Sequence, residues 1–210
     1  STLKSDRLIA FDAVKGQIAC EAGLMLADLL EFVVPRGWFP PVTPGTKFVT
    51  IGGMIAADVH GKNHHNAGTF GRHVVSLELM TADGSVRFCS RETEPELFAA
   101  TLGGMGLTGI ILTAQFHLIP IESASIRQET LRADNFEEAM AACEDSAGWT
   151  YNVAWIDCLA TGKQLGRSVV YRGEHAGKTE TGALPLAVPK RRTLPVPIDL
   201  PRFALNAWTV

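Results

Sequence analysis

Apolar residues are spaced in two different ways along the first 120 residues, and each spacing predicts a different element. Leucines at helical spacing predict a packing helix over 24–34, which Pro35 and Gly37 bring to an end. A second helix is predicted from Pro95 to Leu102, because proline and acidic residues are favoured in a first turn. Short apolar runs between turn residues predict strands over 8–12, 17–20, 74–81, 86–90 and 110–118.

The pattern changes after residue 121, where strands rich in aromatic and β-branched residues flank one helix. Asp134 or Asn135 is the expected N-cap of that helix. A β-α-β-β order favours an antiparallel sheet with helices on one side, so the sequence predicts an α+β protein with two domains, 1–122 and 123–210. The predicted elements of the second domain are strands over 126–131, 151–158 and 167–172 and a helix over 135–145.

The segment with the most distinctive chemistry lies in the first domain. Residues 40–46 are rich in proline and glycine, and from Val49 the chain reads VTIGGMIAAD, an extended start that becomes a helix. The glycines at 52–53 lie at this transition, where backbone N–H groups without side chains can approach an anionic ligand. The alanines at 56–57 keep the helix slim, which leaves room for a flat cofactor.

The residues that follow the helix add a titratable ring and a cation. Residues 60–71 are polar and rich in glycine and histidine, which predicts a loop that contains His60 and Lys62. His64 and His65 lie close by, but no carboxylate or thiol stands at a ligand spacing. The sequence therefore predicts no metal site and assigns these two histidines to structural hydrogen bonds.

Two further patterns have an ordinary structural interpretation. The four glycines within 103–109 mimic a nucleotide-binding loop, but they follow a helix and precede a strand, the reverse of the dinucleotide-binding order. They are predicted to end the helix and form a tight turn. The aromatic residues Trp149, Tyr151 and Trp155 lie in or near a predicted strand, where core packing is expected rather than a sugar site.

Composition narrows the class of partner. A net charge of -3 argues against nucleic acid, whose phosphates require a basic surface. No stretch approaches the roughly 20 continuous apolar residues that span a bilayer, so no transmembrane segment is predicted. The apolar fraction of 46% is sufficient for a substantial core.

Several strings of the sequence together carry a family resemblance. They are TPGT at 43–46, VTIGGMIAADVHGKNHH at 49–65, AGTFG at 67–71, LMTADG at 79–84 and ELFAATLGGMGLTGII at 96–111. This set resembles the vanillyl-alcohol-oxidase family of enzymes with a PCMH-type FAD-binding domain. The resemblance implies a PCMH-type FAD-binding subdomain followed by part of an antiparallel-sheet substrate domain, with FAD as the cofactor.

The resemblance also implies roles for particular residues. The backbone at Gly45 and over 50–53 would contact FAD, the segment 57–60 would run along the flavin, and Ile111 would touch the cofactor from the far side. His60 and Lys62 would be catalytic residues at the border of the substrate pocket. The implied cofactor-binding residues are Gly45, Thr50, Ile51, Gly52, Gly53, Ala57, Asp58, Val59, His60 and Ile111.

The activity implied by the resemblance is oxidation of a sugar CH–OH group. The substrate would be a sugar or lipid-linked sugar, with lipid-phosphate-linked ribose converted to its 2-keto form and a partner reductase completing an epimerisation of the kind used for cell-wall arabinan precursors. The alternatives are an aldonolactone or alditol oxidase, and a truncated chain without cofactor or activity. We expect the glycine-rich pyrophosphate loop and the later part of the substrate domain to be absent, and this fragment to be inactive alone.

Overall fold

The computed structural model describes residues 3–188, and in this part of the chain helices and antiparallel sheets are mixed, which confirms the predicted α+β class. The strands are β1 Leu8–Asp12, β2 Gln17–Glu21, β3 Trp38–Phe39, β4 Val74–Met80, β5 Val86–Ser90, β6 Ile110–His117, β7 Ile119–Pro120, β8 Ile126–Ala133, β9 Tyr151–Ile156 and β10 Ser168–His175. The α-helices are α1 Leu26–Val33, α2 Ile51–Ala56, α3 His64–Ala67, α4 Pro95–Thr101 and α5 Phe136–Asp145.

The first sheet has five antiparallel strands in the order β1-β2-β6-β4-β5. The two predicted hairpins form its edges, and β6 enters between them because its alternating apolar residues pack on one face. Phe116 of β6 and Leu77 of β4 are buried in the same core as Phe70 and Phe98. Helix α1 packs on this core through the leucines whose spacing predicted the helix, and Leu29 is fully buried.

The second sheet has three antiparallel strands in the order β8-β10-β9. Helix α5 contacts all three strands. The Asn135 side chain accepts the Glu138 N–H at 2.9 Å, so Asn135 is the cap that the sequence offered as one of two candidates. The boundary near residue 122 stays a prediction, and residues 189–210 of the predicted second domain lie outside the described residues.

The prediction of a loop over 60–71 is wrong in part. Helix α3 covers four of these residues, and a 3-10 turn begins at Phe70. A helix of one turn is too short to show a periodic apolar pattern. Its position depends instead on Asn63, which is buried and donates to the Pro41 carbonyl at 2.7 Å.

Over residues 3–188, none of the helices combines the length and the apolar character that crossing a bilayer requires.

Candidate functional site

The predicted ligand segment begins at Thr50, which is the N-cap of α2. Its hydroxyl accepts the Gly53 N–H at 3.1 Å. The N–H of Ile51 donates to the Leu24 carbonyl at 2.9 Å, and that of Gly52 donates to the Ala22 carbonyl at 2.8 Å. A Cβ on Gly52 would lie 2.9 Å from the Ala22 Cβ, so this glycine allows α2 to approach the residue that follows β2.

These bonds correct one expectation from the sequence. The backbone over residues 50–53 was expected to present its amides to an anionic ligand, but the amides of residues 51, 52 and 53 already have partners within the protein. A donor with a good internal acceptor adds little to phosphate binding. The expectation of a cradle of free amides is therefore wrong for residues 51–53, although contact between these residues and a cofactor stays a prediction.

A groove nevertheless runs along the exposed side of α2. It has a volume of about 360 Å³ and is lined mainly by small residues. The lining residues are Ala22, Thr50, Gly52, Gly53, Ala56, Thr101, Gly106, Gly109, Ile110 and Ile111. Four of the predicted cofactor-binding residues, namely Thr50, Gly52, Gly53 and Ile111, thus meet at one place. The predominance of glycine and alanine gives the groove its width.

One wall of the groove is the loop 103–109. Gly103 follows the end of α4 with a φ of 77°, and Gly106 has a φ of 81°, so the predicted helix end and tight turn are confirmed. The Gly103 and Met105 N–H groups donate to the carbonyls of Ile55 and Ala56 at 3.0 and 2.8 Å. This bonding to α2 was not visible in the sequence, because it joins segments about fifty residues apart in the chain.

The remaining predicted cofactor residues lie outside the groove lining. Ile51 is fully buried in the core, and Val59 packs partly against it. Asp58 has a φ of 40° and accepts the Gly71 N–H at 2.7 Å. Gly45 and Ala57 are exposed. The exposed His60 pairs with Thr69 in an isolated bridge, and its ring centroid lies 5.4 Å from that of His64.

Lys62 lies at a second opening, a pocket of about 430 Å³ on the face of the second sheet. The pocket is lined by Phe39, Thr43, Lys62, Ile126, Gln128, Tyr151, Val153, Trp155, Tyr171, Arg172 and Gly173. The expectation of core packing is wrong for Trp155, which is 72% exposed, whereas Tyr151 is partly buried and also lines this pocket. Trp149 is not in the lining and lies 4.8 Å from the Arg172 guanidinium.

The loop that carries Lys62 is held against the second sheet by hydrogen bonds. The Asn152 N–H donates to the Lys62 carbonyl at 2.8 Å. His65 and Asn66 both donate to the Trp149 carbonyl, at 3.0 and 2.9 Å. His65 is thus a structural hydrogen-bonder, as predicted. Over residues 3–188, no group of three or more His, Cys, Asp or Glu side chains is placed to hold a metal ion.

One of the lining residues, Tyr151, contacts a histidine that lies outside the lining. The Tyr151 hydroxyl lies 2.9 Å from His175 Nε2, and the Phe39 ring packs edge-to-face with the histidine at a centroid distance of 5.1 Å. Burial raises the pKa of Tyr151 to about 12, with a further contribution from Glu174. Burial lowers the pKa of His175 below its usual range, which favours the neutral ring.

Comparison with known proteins identifies the family of this fold and groove. Residues 1–90 match the FAD binding domain family. Over 199 residues, or 90% of the chain and 43% of the relative, the sequence is 39% identical to decaprenylphosphoryl-beta-D-ribose oxidase of Mycolicibacterium smegmatis. The chain belongs to the PCMH-type family of FAD-binding oxidases. The predicted family and its cofactor, FAD, are thereby confirmed.

Other members of the family are also similar to the chain. An uncharacterized protein in the mprA 5′ region of Streptomyces coelicolor is 43% identical over 183 residues, which are 85% of the chain and 49% of that protein. L-gulonolactone oxidase of Mus musculus is 32% identical over 147 residues, which are 67% of the chain and 33% of the enzyme. The chain spans about half the length, or less, of these relatives.

The groove along α2 fits a flat cofactor of this family. An added Cβ on Gly106 would meet nothing within 4 Å, so the groove is open on that side. Three large apolar residues that are close in the sequence to Thr50 or Gly106 are exposed, namely Phe48 at 69%, Met105 at 72% and Leu107 at 91%. Burial of such apolar surface against a ligand would be favourable, because it removes the surface from water. FAD in the groove would cover part of it.

Proposed function

We propose that this chain is part of an FAD-dependent oxidoreductase that oxidises a CH–OH group of a sugar, with lipid-phosphate-linked ribose as the substrate. The observation that carries the proposal is the course of one continuous segment, residues 50–62. The segment lines the small-residue groove at Thr50 and Gly53, and it ends at the pocket with Lys62. A cofactor in the groove and a sugar in the pocket would therefore both contact this one segment.

The pocket has the chemical character that a sugar requires. Its aromatic and aliphatic side chains offer apolar surface to the C–H faces of a sugar ring, while Lys62 and Gln128 offer donors to oxygen atoms. A phosphate oxygen of the substrate would be a suitable partner for the Lys62 ammonium. The 39% identity to an enzyme named as a ribose oxidase supports the choice of ribose.

FAD supplies the acceptor for the two electrons when it is bound. Oxidation of a secondary alcohol also releases the hydroxyl proton, for which a base is required. We propose His60 as this base, because its ring is exposed and it lies two residues before Lys62. The 2-keto product would then be reduced by a partner enzyme if the pathway is an epimerisation.

An aldonolactone or alditol oxidase is the second candidate. The 32% identity to L-gulonolactone oxidase favours it, although this match covers 67% of the chain rather than 90%. A non-catalytic chain without cofactor is the third alternative. The three differ in what the purified full-length protein binds and oxidises.

Anaerobic reduction of the bound flavin distinguishes these candidates. We expect the full-length protein to be isolated with FAD, and its oxidised-flavin absorbance to bleach on addition of a prenylphosphoryl ribose. Bleaching by L-gulono-1,4-lactone or by an alditol, without response to the ribose lipid, would support the second candidate. A colourless protein that does not take up added FAD would rule out both enzymatic candidates.

A further inference from the structure

The hydrogen bond between Tyr151 and His175 has a direction that burial determines. His175 Nδ1 is buried and has no hydrogen-bond partner among the described residues. If Nδ1 carried the proton, a buried N–H would be left without an acceptor, which is rarer and more costly than an unused lone pair. The ring is therefore the tautomer with its proton on Nε2, and Nε2–H donates to the Tyr151 oxygen at 2.9 Å.

This direction leaves the phenolic proton of Tyr151 unused. Within residues 3–188, His175 is the hydrogen-bond partner of the Tyr151 hydroxyl and no second one is present. The nearby carboxylate of Glu174 is engaged by the backbone and the hydroxyl of Thr150. The Tyr151 O–H is consequently free for a ligand, and a hydroxyl that already accepts a hydrogen bond is a stronger donor.

The sheet register directs Tyr151 toward the pocket. Tyr151 pairs with Gly173 on β10, and His175 lies two residues further on the same face. A Cβ on Gly173 would lie 2.8 Å from Ile126 Cγ2, so the absence of a side chain here allows Ile126 to pack against the strand. Tyr151, Gly173 and Ile126 all line the pocket that contains Lys62.

We propose that Tyr151 is a substrate-contact residue whose hydroxyl donates a hydrogen bond to an oxygen of the bound sugar or of its phosphate, and that His175 is the positioning residue that holds this hydroxyl. The inference rests on the proposed function, because it takes the ligand to be an oxygen-rich sugar. The high pKa of Tyr151 agrees with a hydroxyl that stays protonated and acts as a donor. Lys62 binds the same ligand as a cation, whereas Tyr151 binds it as a neutral donor.

The tautomer of His175 can be measured without any substrate. In the full-length protein labelled with ¹⁵N-histidine, long-range ¹H–¹⁵N correlation distinguishes a protonated Nε2 from a protonated Nδ1, and the signals of His175 are those lost in His175→Gln. We expect Nε2 to carry the proton at neutral pH. Protonation at Nδ1 would overturn the inference, whether or not the protein oxidises a sugar.

Steady-state kinetics test the contact itself. We expect Tyr151→Phe to raise KM for a prenylphosphoryl ribose about 3- to 30-fold, the range for loss of one hydrogen bond to a ligand oxygen, with unchanged FAD content and a smaller change in kcat. His175→Leu should also raise KM, and His175→Gln should restore much of the loss because its amide can donate to Tyr151. The exposed His117 is the control, and His117→Leu should leave KM unchanged.

The outcomes separate the two proposals. A wild-type protein that binds FAD but oxidises neither a ribose lipid nor an aldonolactone would contradict the proposed function. A wild-type protein that oxidises the ribose lipid, with a KM for Tyr151→Phe within about twofold of wild type, would overturn the inference alone. If Tyr151→Phe raises KM for both the prenylphosphoryl ribose and methyl β-D-ribofuranoside, the contact is to a sugar oxygen. If it raises KM for the prenylphosphoryl ribose alone, the contact is to the phosphate.

Discussion

At the scale of single residues, the segment 50–62 contains two kinds of residue. Some stabilise the fold, and others are exposed and available to a ligand. Gly52 and Asp58 stabilise the fold. Gly52 permits close packing on Ala22, and Asp58 accepts the Gly71 N–H. Gly53 and Lys62 are exposed and line the groove and the pocket. Residues of the second kind should affect ligand binding when substituted, with little effect on stability.

Lys62 provides a direct test of this distinction. We expect Lys62→Ala in the full-length protein to leave FAD content and thermal stability unchanged, because its side chain is exposed. Loss of a cationic partner for an oxygen-rich ligand should raise KM or lower kcat for the ribose lipid by roughly tenfold or more. Lys15→Ala is a matched control, since Lys15 lies in the β1–β2 turn and its side chain forms an exposed ion pair with Asp12, which contributes little to stability. Equal kinetics for both variants would remove Lys62 from the substrate site.

At the scale of elements, the sequence predicted what depends on local patterns. The hairpins, α1, α4 and α5 follow from turn residues, apolar spacing and caps, and the structure has them at nearly the predicted positions. The amide partners of 51–53 and the pocket role of Trp155 were not predicted. Both depend on contacts between distant segments, which a single sequence does not encode in any local pattern.

The connection of α3 to the preceding segment supports a prediction about stability. Asn63 is 3% exposed, and its side chain joins the Lys62 loop to Pro41 through one buried hydrogen bond. We expect Asn63→Ala to lower the free energy of unfolding by about 1–3 kcal/mol, because the Pro41 carbonyl would be buried without a partner. Asn63→Asp should lower it further, since an acceptor would then face the carbonyl. Urea unfolding measures both changes.

Asn66 offers the comparison for that experiment. Its side chain also donates to a backbone carbonyl, that of Trp149 at 2.9 Å, but this bond is exposed to water. Asn66→Ala should therefore lower the free energy of unfolding by less than about 1 kcal/mol. Equal losses for Asn63→Ala and Asn66→Ala would mean that burial of the Asn63 bond has no special importance.

At the scale of the whole molecule, the two openings lie on different parts of the fold. The groove is bounded by α2, the loop 103–109 and the start of β6, all within the region of the five-stranded sheet. The pocket is formed mainly by the three-stranded sheet, with Phe39, Thr43 and Lys62 from the first region. The backbone bond between Asn152 and Lys62 joins the two regions. Cofactor binding and substrate binding are therefore expected to respond to different substitutions.

The FAD content of a groove variant shows directly whether the groove along α2 holds the cofactor. In Gly53→Leu the new side chain would enter the groove beside Thr50, whose hydroxyl lies 3.0 Å from the position of an added Cβ. Gly148→Leu is the control, because Gly148 is exposed and an added Cβ there meets nothing within 4 Å. We predict that full-length Gly53→Leu folds but is isolated with little FAD, whereas Gly148→Leu retains the wild-type content. Wild-type FAD content in a folded Gly53→Leu variant would contradict the assignment of the groove to the cofactor.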